Sequence, residues 1–127
     1  MKRGLQIFLA VLSLIPFGFG IINFVLGASF HLPSECVTAR IDSHIRFQFT
    51  WFFGLGLIIW WMIPNIEQHT TLFRIIALTM FVGGIGRLVS IYVVGIPDAP
   101  IVAATAIELL FPLLILWQNS IRTSKTN

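Results

Sequence analysis

The chain has 127 residues, of which 57% are hydrophobic and only 10% are charged. A soluble domain carries roughly 25% charged residues, and so short a chain buries too little surface to hide this much apolar side chain. This composition excludes an ordinary soluble domain. The net charge is +3, but the Lys and Arg residues are dispersed along the chain and do not form the basic stripe of a nucleic-acid-binding protein.

Four apolar runs follow one another along the chain, and each is near the ~20 residues with which a helix crosses the hydrocarbon of a bilayer. They cover residues 5–28, 45–63, 72–94 and 101–117. The first run exceeds the ~7–15 apolar residues of a signal peptide, so we expect a retained helix. Short linkers make neighbouring helices antiparallel. The sequence predicts an all-α membrane protein, with residues 1–127 forming a single up-down bundle of four transmembrane helices.

The cations are distributed unequally between the two sides of this bundle. One side carries Lys2, Arg3, Arg74, Arg122 and Lys125, whereas the other carries Arg40 and Arg46. Because basic residues accumulate on the cytoplasmic side, the pattern predicts a multi-pass protein of the bacterial inner membrane with both termini cytoplasmic.

Two ionisable side chains lie deep inside the predicted spans, several residues from either end. Arg87 lies seven residues before the end of the third span, and Glu108 lies seven residues after the start of the fourth. At 1.5 Å per residue both backbones lie ~10 Å below the outer surface, so we expect a salt bridge. Pro112 removes the N–H that would bond the Glu108 carbonyl, which predicts a kink there and a free carbonyl.

Other polar residues occur at a similar height, namely Asn23, Asp42, His44, Arg46, Gln48 and Ser90. Asp42 and Arg46 are spaced i, i+4 and are expected to pair. This coincidence predicts a polar pocket in the outer half of the bundle for a lipid head group, an amphiphile or a partner, with nothing comparable in the inner half. The alternative is a structural network that fixes helix register.

Glycine pairs and a short run of glycines lie within three of the spans, at Gly18, Gly20, Gly54, Gly56, Gly83, Gly84 and Gly86. Such residues favour close helix packing within the chain or, alternatively, a homodimer face. We therefore expect membrane lipid as a partner, with a homo-oligomer or a membrane protein as further partners, and no nucleic acid.

Motifs for catalysis or metal binding are missing from the sequence. His31, Glu35, Cys36, Asp42 and His44 share the first outer loop without the compact spacing of a zinc site. No phosphate-binding loop, nucleophile–base frame or haem signature occurs. We expect no metal, no cofactor and no enzymatic activity.

Segments 41–47, 54–56, 66–74 and 83–90 resemble the bacterial domain of unknown function 4345. The first reads Ile-Asp-Ser-His-Ile-Arg-Phe and the last Gly-Gly-Ile-Gly-Arg-Leu-Val-Ser. The resemblance extends from the first span to Trp117 and implies a small four-span membrane protein. Likeness to members with a part in antibiotic tolerance implies a role in the envelope barrier and electrochemical homeostasis.

Three functions remain open at this point. The first is a non-enzymatic inner-membrane protein of envelope homeostasis with a polar pocket. The alternative is a minimal proton-coupled transporter using Glu108 and Arg87. The predicted inner half of the bundle is apolar and offers no continuous polar path, which argues against a transporter. The third is a membrane enzyme acting on lipid or quinone.

Overall fold

The computed structural model describes residues 2–123, with side chains to Ile121, and this part of the chain contains helices and turns but no strand. The helices are α1 (Lys2–Leu26), α2 (Ala39–Met62), α3 (Thr70–Val94), α4 (Ala99–Leu110) and α5 (Leu113–Thr123). The predicted all-α class is confirmed. Lys125, which entered the orientation argument, lies outside the described residues.

Three helical stretches are long and apolar enough to cross a membrane, namely Lys2–Phe30, Ala39–Asn65 and Thr70–Val94. Helices α4 and α5 qualify as a pair, so the number of spans is four if this bent pair counts as one. Apolar side chains point outward along these helices; Val94, for example, is 83% exposed. Apolar surface of this extent requires lipid as its solvent, so the chain is a helical membrane protein.

The N-terminal unit, residues 3–64, is an antiparallel pair of α1 and α2. Near the start of α1, the side-chain amide of Gln6 donates to the carbonyl of Ile63 just beyond α2, at 2.9 Å. Farther along, a Cβ at Gly20 would lie 2.8 Å from the Cβ of Phe53. The missing side chain therefore permits the two backbones to approach, as expected for small residues in membrane helices.

The C-terminal unit comprises residues 65–123 together with Lys2. Helix α3 runs antiparallel to α4 and α5, since Arg74 near its start donates to Asn119 of α5 at 3.2 Å while its second half packs on α4. Helix α5 continues to Thr123, beyond Trp117, where the apolar run ends. Helical hydrogen bonding does not need apolar residues, so a span defined by hydropathy ends before the helix does.

A bend of 45° separates α4 from α5 at the predicted position, next to Pro112. The expectation of a free carbonyl at Glu108 is wrong, because the N–H of Phe111 donates to it at 3.3 Å. Proline removes the bond between residues four apart, and the chain tightens into a 3-10 turn that reaches the same carbonyl from one residue earlier.

Candidate functional site

Arg87 and Glu108 form the expected ion pair in the C-terminal unit. The Arg87 Nε donates to Glu108 Oε2 at 2.9 Å, and the two side chains are 36% and 10% exposed. Gly84 makes this contact sterically feasible, because a Cβ there would lie 3.0 Å from Leu109 and 3.2 Å from the Cβ of Glu108. The glycine thus brings α4 close enough to α3 for the carboxylate to reach the guanidinium.

The carboxylate lies deeper along α3 than the backbone of Arg87 does. Glu108 Oε2 is 4.0 Å from the position that a Cβ on Gly83 would take. Gly83 is 13 residues from Thr70 and 11 from Val94, which places it about 20 Å and 17 Å from the two ends of the helix. Side chains on a helix lean toward its N-terminus. The pair therefore lies beside the middle of α3, about one turn deeper than the sequence predicts from backbone positions.

The guanidinium of Arg87 is incompletely bonded. Within the described part of the chain its Nε has a partner and its two Nη groups have none. These Nη groups carry four of the five N–H donors of an arginine. Donors without acceptors cost several kcal/mol each in hydrocarbon, on the order of a lost hydrogen bond or more. The site can therefore receive an acceptor oxygen.

Asp42 and Arg46 also pair as predicted, and they close α1 onto α2 in the N-terminal unit. Arg46 Nε donates to Asp42 Oδ2 at 2.7 Å. Arg46 Nη1 donates to the carbonyl of Val25 at 3.0 Å and also to that of Phe24, and Asp42 Oδ1 accepts from the backbone N–H of Ala28 at 2.9 Å. Carbonyls in the last turn of a helix lack helical partners, so Arg46 caps the C-terminus of α1.

Gly27 is required at this junction and was not predicted from the sequence. Its φ is +60°, a left-handed conformation that glycine adopts without steric cost. A Cβ there would lie 2.0 Å from Asp42 Oδ1 and 2.7 Å from Arg46 Nη2. A signal was available, because a glycine directly after a long apolar helix is a common helix C-terminus.

Asn23 is fully buried in the same unit and bonds to a residue of the first loop. Its Nδ2 donates to the carbonyl of Phe19 at 2.8 Å, which leaves Oδ1 to accept from Nε2 of His31 at 2.5 Å. The His31 ring stacks on Phe49 with 5.7 Å between centroids. Residues 2–121 contain no group of three or more His, Cys, Asp or Glu that could hold a metal ion.

The remaining predicted site residues are His44, Gln48 and Ser90. All three are exposed, and none makes a side-chain hydrogen bond to another described residue. The predicted polar set is therefore divided: Arg87 and Glu108 pair in the C-terminal unit, whereas Asn23, Asp42 and Arg46 bond within the N-terminal unit.

A second buried polar group, absent from the sequence-based expectation, lies at the other end of the C-terminal unit. Gln118 is fully buried and donates from Nε2 to the carbonyl of Ile66 at 2.5 Å. Lys2 Nζ lies 2.8 Å from Glu67 Oε1, and the Glu67 side chain is 9% exposed. The expectation that only the outer half holds buried polar groups is therefore wrong. Gln118 was missed because it follows the last apolar residue of the predicted span.

Comparison with known proteins gives a family but no characterised relative. No curated protein matches the chain, and no solved structure does. The family model described as "Domain of unknown function (DUF4345)" matches residues 4–118. This range contains the Asp42–Arg46 pair, the Arg87–Glu108 pair and the Asn23–His31 contact. This match confirms the family resemblance, and the chain belongs to the family described as domain of unknown function DUF4345.

Proposed function

We propose that the chain is a non-enzymatic protein of the bacterial inner membrane that supports the envelope barrier and its electrochemical state, with both termini in the cytoplasm. The polar site at Arg87 and Glu108 binds a lipid head group, an amphiphile or a partner segment. The observation that carries this proposal is the incompletely bonded guanidinium beside the middle of an apolar helix. Intramembrane charges are costly, and they mark candidate functional sites by default.

The proposal is tested by complementing a deletion strain with the wild type, Arg87→Met and Glu108→Gln at equal expression. Arg74→Met is the matched control, because Arg74 lies near the other end of the same helix and is exposed. We expect the control to restore exclusion of an impermeant dye and a normal membrane-potential signal, and the two site variants to restore neither. Full rescue by both site variants would refute the proposal.

A proton-coupled transporter using Glu108 and Arg87 is the second candidate, and one observation favours it. The C-terminal unit holds buried polar groups at two heights, with Glu67 and Gln118 at one end and Glu108 beside the middle of α3. Reconstitution in liposomes that enclose a pH-sensitive dye separates the two candidates. Proton flux that requires Glu108 would support the transporter, whereas equal flux in the wild type and Glu108→Gln would remove it.

A further inference from the structure

Arg46 and Arg87 each form an ion pair within the helices, but they differ in how many of their N–H donors are bonded. Arg46 bonds through Nε to Asp42 and through Nη1 to two backbone carbonyls. Among the described residues, Arg87 bonds through Nε alone, to Glu108, and its side chain is 36% exposed. Arg46 thus uses three of its five donors within its own unit, whereas Arg87 uses one. Both Nη groups of Arg87 are therefore open to an acceptor from outside the described chain.

The depth of the pair restricts what this acceptor can be. Helix α3 has 25 residues, about 37 Å at 1.5 Å per residue, against a hydrocarbon core about 30 Å thick. A helix that spans this core places its middle about 15 Å from either boundary. The Glu108 carboxylate lies beside Gly83 in the middle of α3. Phosphate groups of bilayer lipids lie beyond the boundary, so a ligand dissolved in the hydrocarbon fits the site better than a phospholipid head group.

The surface around Arg87 leaves room for such a ligand. Gly83 and Gly86 are exposed, and apart from the adjoining helix backbone a Cβ on Gly86 would have no described atom within 4 Å. Ser90, one turn from Arg87 toward the end of α3, is exposed as well. Because residues three and four apart share one face of a helix, the guanidinium adjoins a strip of bare backbone. An extended hydrocarbon chain can lie flat against such a strip.

We infer that Arg87 binds, through its Nη groups, a carbonyl or carboxylate oxygen of a long-chain compound dissolved in the bilayer core. Glu108 positions the guanidinium by holding its Nε. A long-chain fatty acid and an isoprenoid quinone both supply this oxygen on a hydrophobic chain. The inference rests on the proposed function and names the ligand class of the same site, because a hydrocarbon-soluble carbonyl compound reaches the middle of α3 without moving a phosphate into the bilayer.

The test uses native mass spectrometry of the full chain released from phosphatidylcholine nanodiscs. The probes are oleate, a decyl-substituted benzoquinone and phosphatidylglycerol, each titrated separately. We expect oleate or the benzoquinone to bind the wild type and Arg74→Met equally, and to bind Arg87→Met at least 10-fold more weakly. Arg87→Lys keeps the charge but loses the planar donor pair, so it should bind at an intermediate level and covers the case in which Arg87→Met fails to fold.

Three outcomes would overturn the inference. In the first, only phosphatidylglycerol binds in a manner that depends on Arg87. In the second, the chain forms a dimer that depends on Arg87. In the third, every probe binds equally well whichever residue occupies position 87. The first two leave the proposed function intact, because a head group or a second chain then occupies the site. Failure of the proposed function is recognised separately, since Arg87→Met would then restore the barrier in the deletion strain.

Discussion

Removing one charge of the Arg87–Glu108 pair should destabilise the protein more than removing both. A lone charge at the centre of a membrane helix costs about 2.5–3.5 kcal/mol on insertion scales. In Glu108→Gln the Arg87 side chain, which is 36% exposed, can shift toward water, so we expect a loss of about 2 kcal/mol. In Arg87→Met the Glu108 carboxylate, which is 10% exposed, stays buried, and we expect about 3 kcal/mol.

The double variant should lose no more than about 1 kcal/mol, because uncharged side chains of similar volume often replace a buried ion pair without cost. The two single losses add up to about 5 kcal/mol, so the coupling free energy is at least about 4 kcal/mol. The assay is reversible unfolding in mixed micelles with increasing dodecyl sulfate, followed by circular dichroism. Arg74→Met is the control; it loses only an exposed hydrogen bond to Asn119 and should change the free energy of unfolding by no more than about 1 kcal/mol.

Additive losses would refute this reasoning. If the two single losses sum to that of the double variant within about 0.5 kcal/mol, the charges are solvated independently. The guanidinium and the carboxylate would then both have access to water or head groups, and neither would lie at the depth that the contact with Gly83 gives.

Three further predictions concern other parts of the chain. Gly27→Ala should lower the free energy of unfolding by more than the ~1–2 kcal/mol that a left-handed alanine costs, because its Cβ would displace the Asp42 carboxylate. Gly18 has open space around it, so Gly18→Ala is the control and should be neutral or stabilising in the same unfolding assay. Gln118→Met should cost about 1–3 kcal/mol because the buried Ile66 carbonyl loses its donor, and an unchanged unfolding midpoint would contradict this. Cys36 is exposed, and we expect an impermeant maleimide to label it from the periplasmic side of intact inner membranes; labelling only after lysis would reverse the proposed orientation.

The contact between Arg87 and Glu108 could be predicted from the sequence, because the number of residues between each side chain and the linker sets its height along its helix. The linker between α3 and α4 is short, so the two helices must be antiparallel, and equal distances from the linker give equal backbone heights. The depth of the charged atoms could not be counted in this way. It depends on the lean of the Arg87 side chain toward the start of α3 and on the close approach that Gly84 permits.

Contacts that depend on a turn or on a helix end were not predictable from apolar patterning. His31 reaches Asn23 only because a 3-10 turn, Gly27–Phe30, follows α1 directly. Gln118 becomes a core residue only because α5 continues past the last apolar residue. Hydropathy reports where a chain is soluble in lipid, whereas these contacts follow from backbone geometry, which hydropathy does not encode.

Segments 41–47 and 83–90 carry the family resemblance, and each contains an arginine that pairs with a carboxylate, within α2 for Arg46 and between α3 and α4 for Arg87. A purely structural arginine is expected to use its donors within the fold, because each one left open costs free energy. Arg46 comes closer to this expectation, because three of its five donors bond to Asp42 and to two backbone carbonyls of the described chain. Arg87 does not, and the requirement to fix helix register explains only its contact with Glu108. Its open Nη donors are therefore the feature that a structural role leaves unexplained, and they support the proposal that a ligand binds at Arg87.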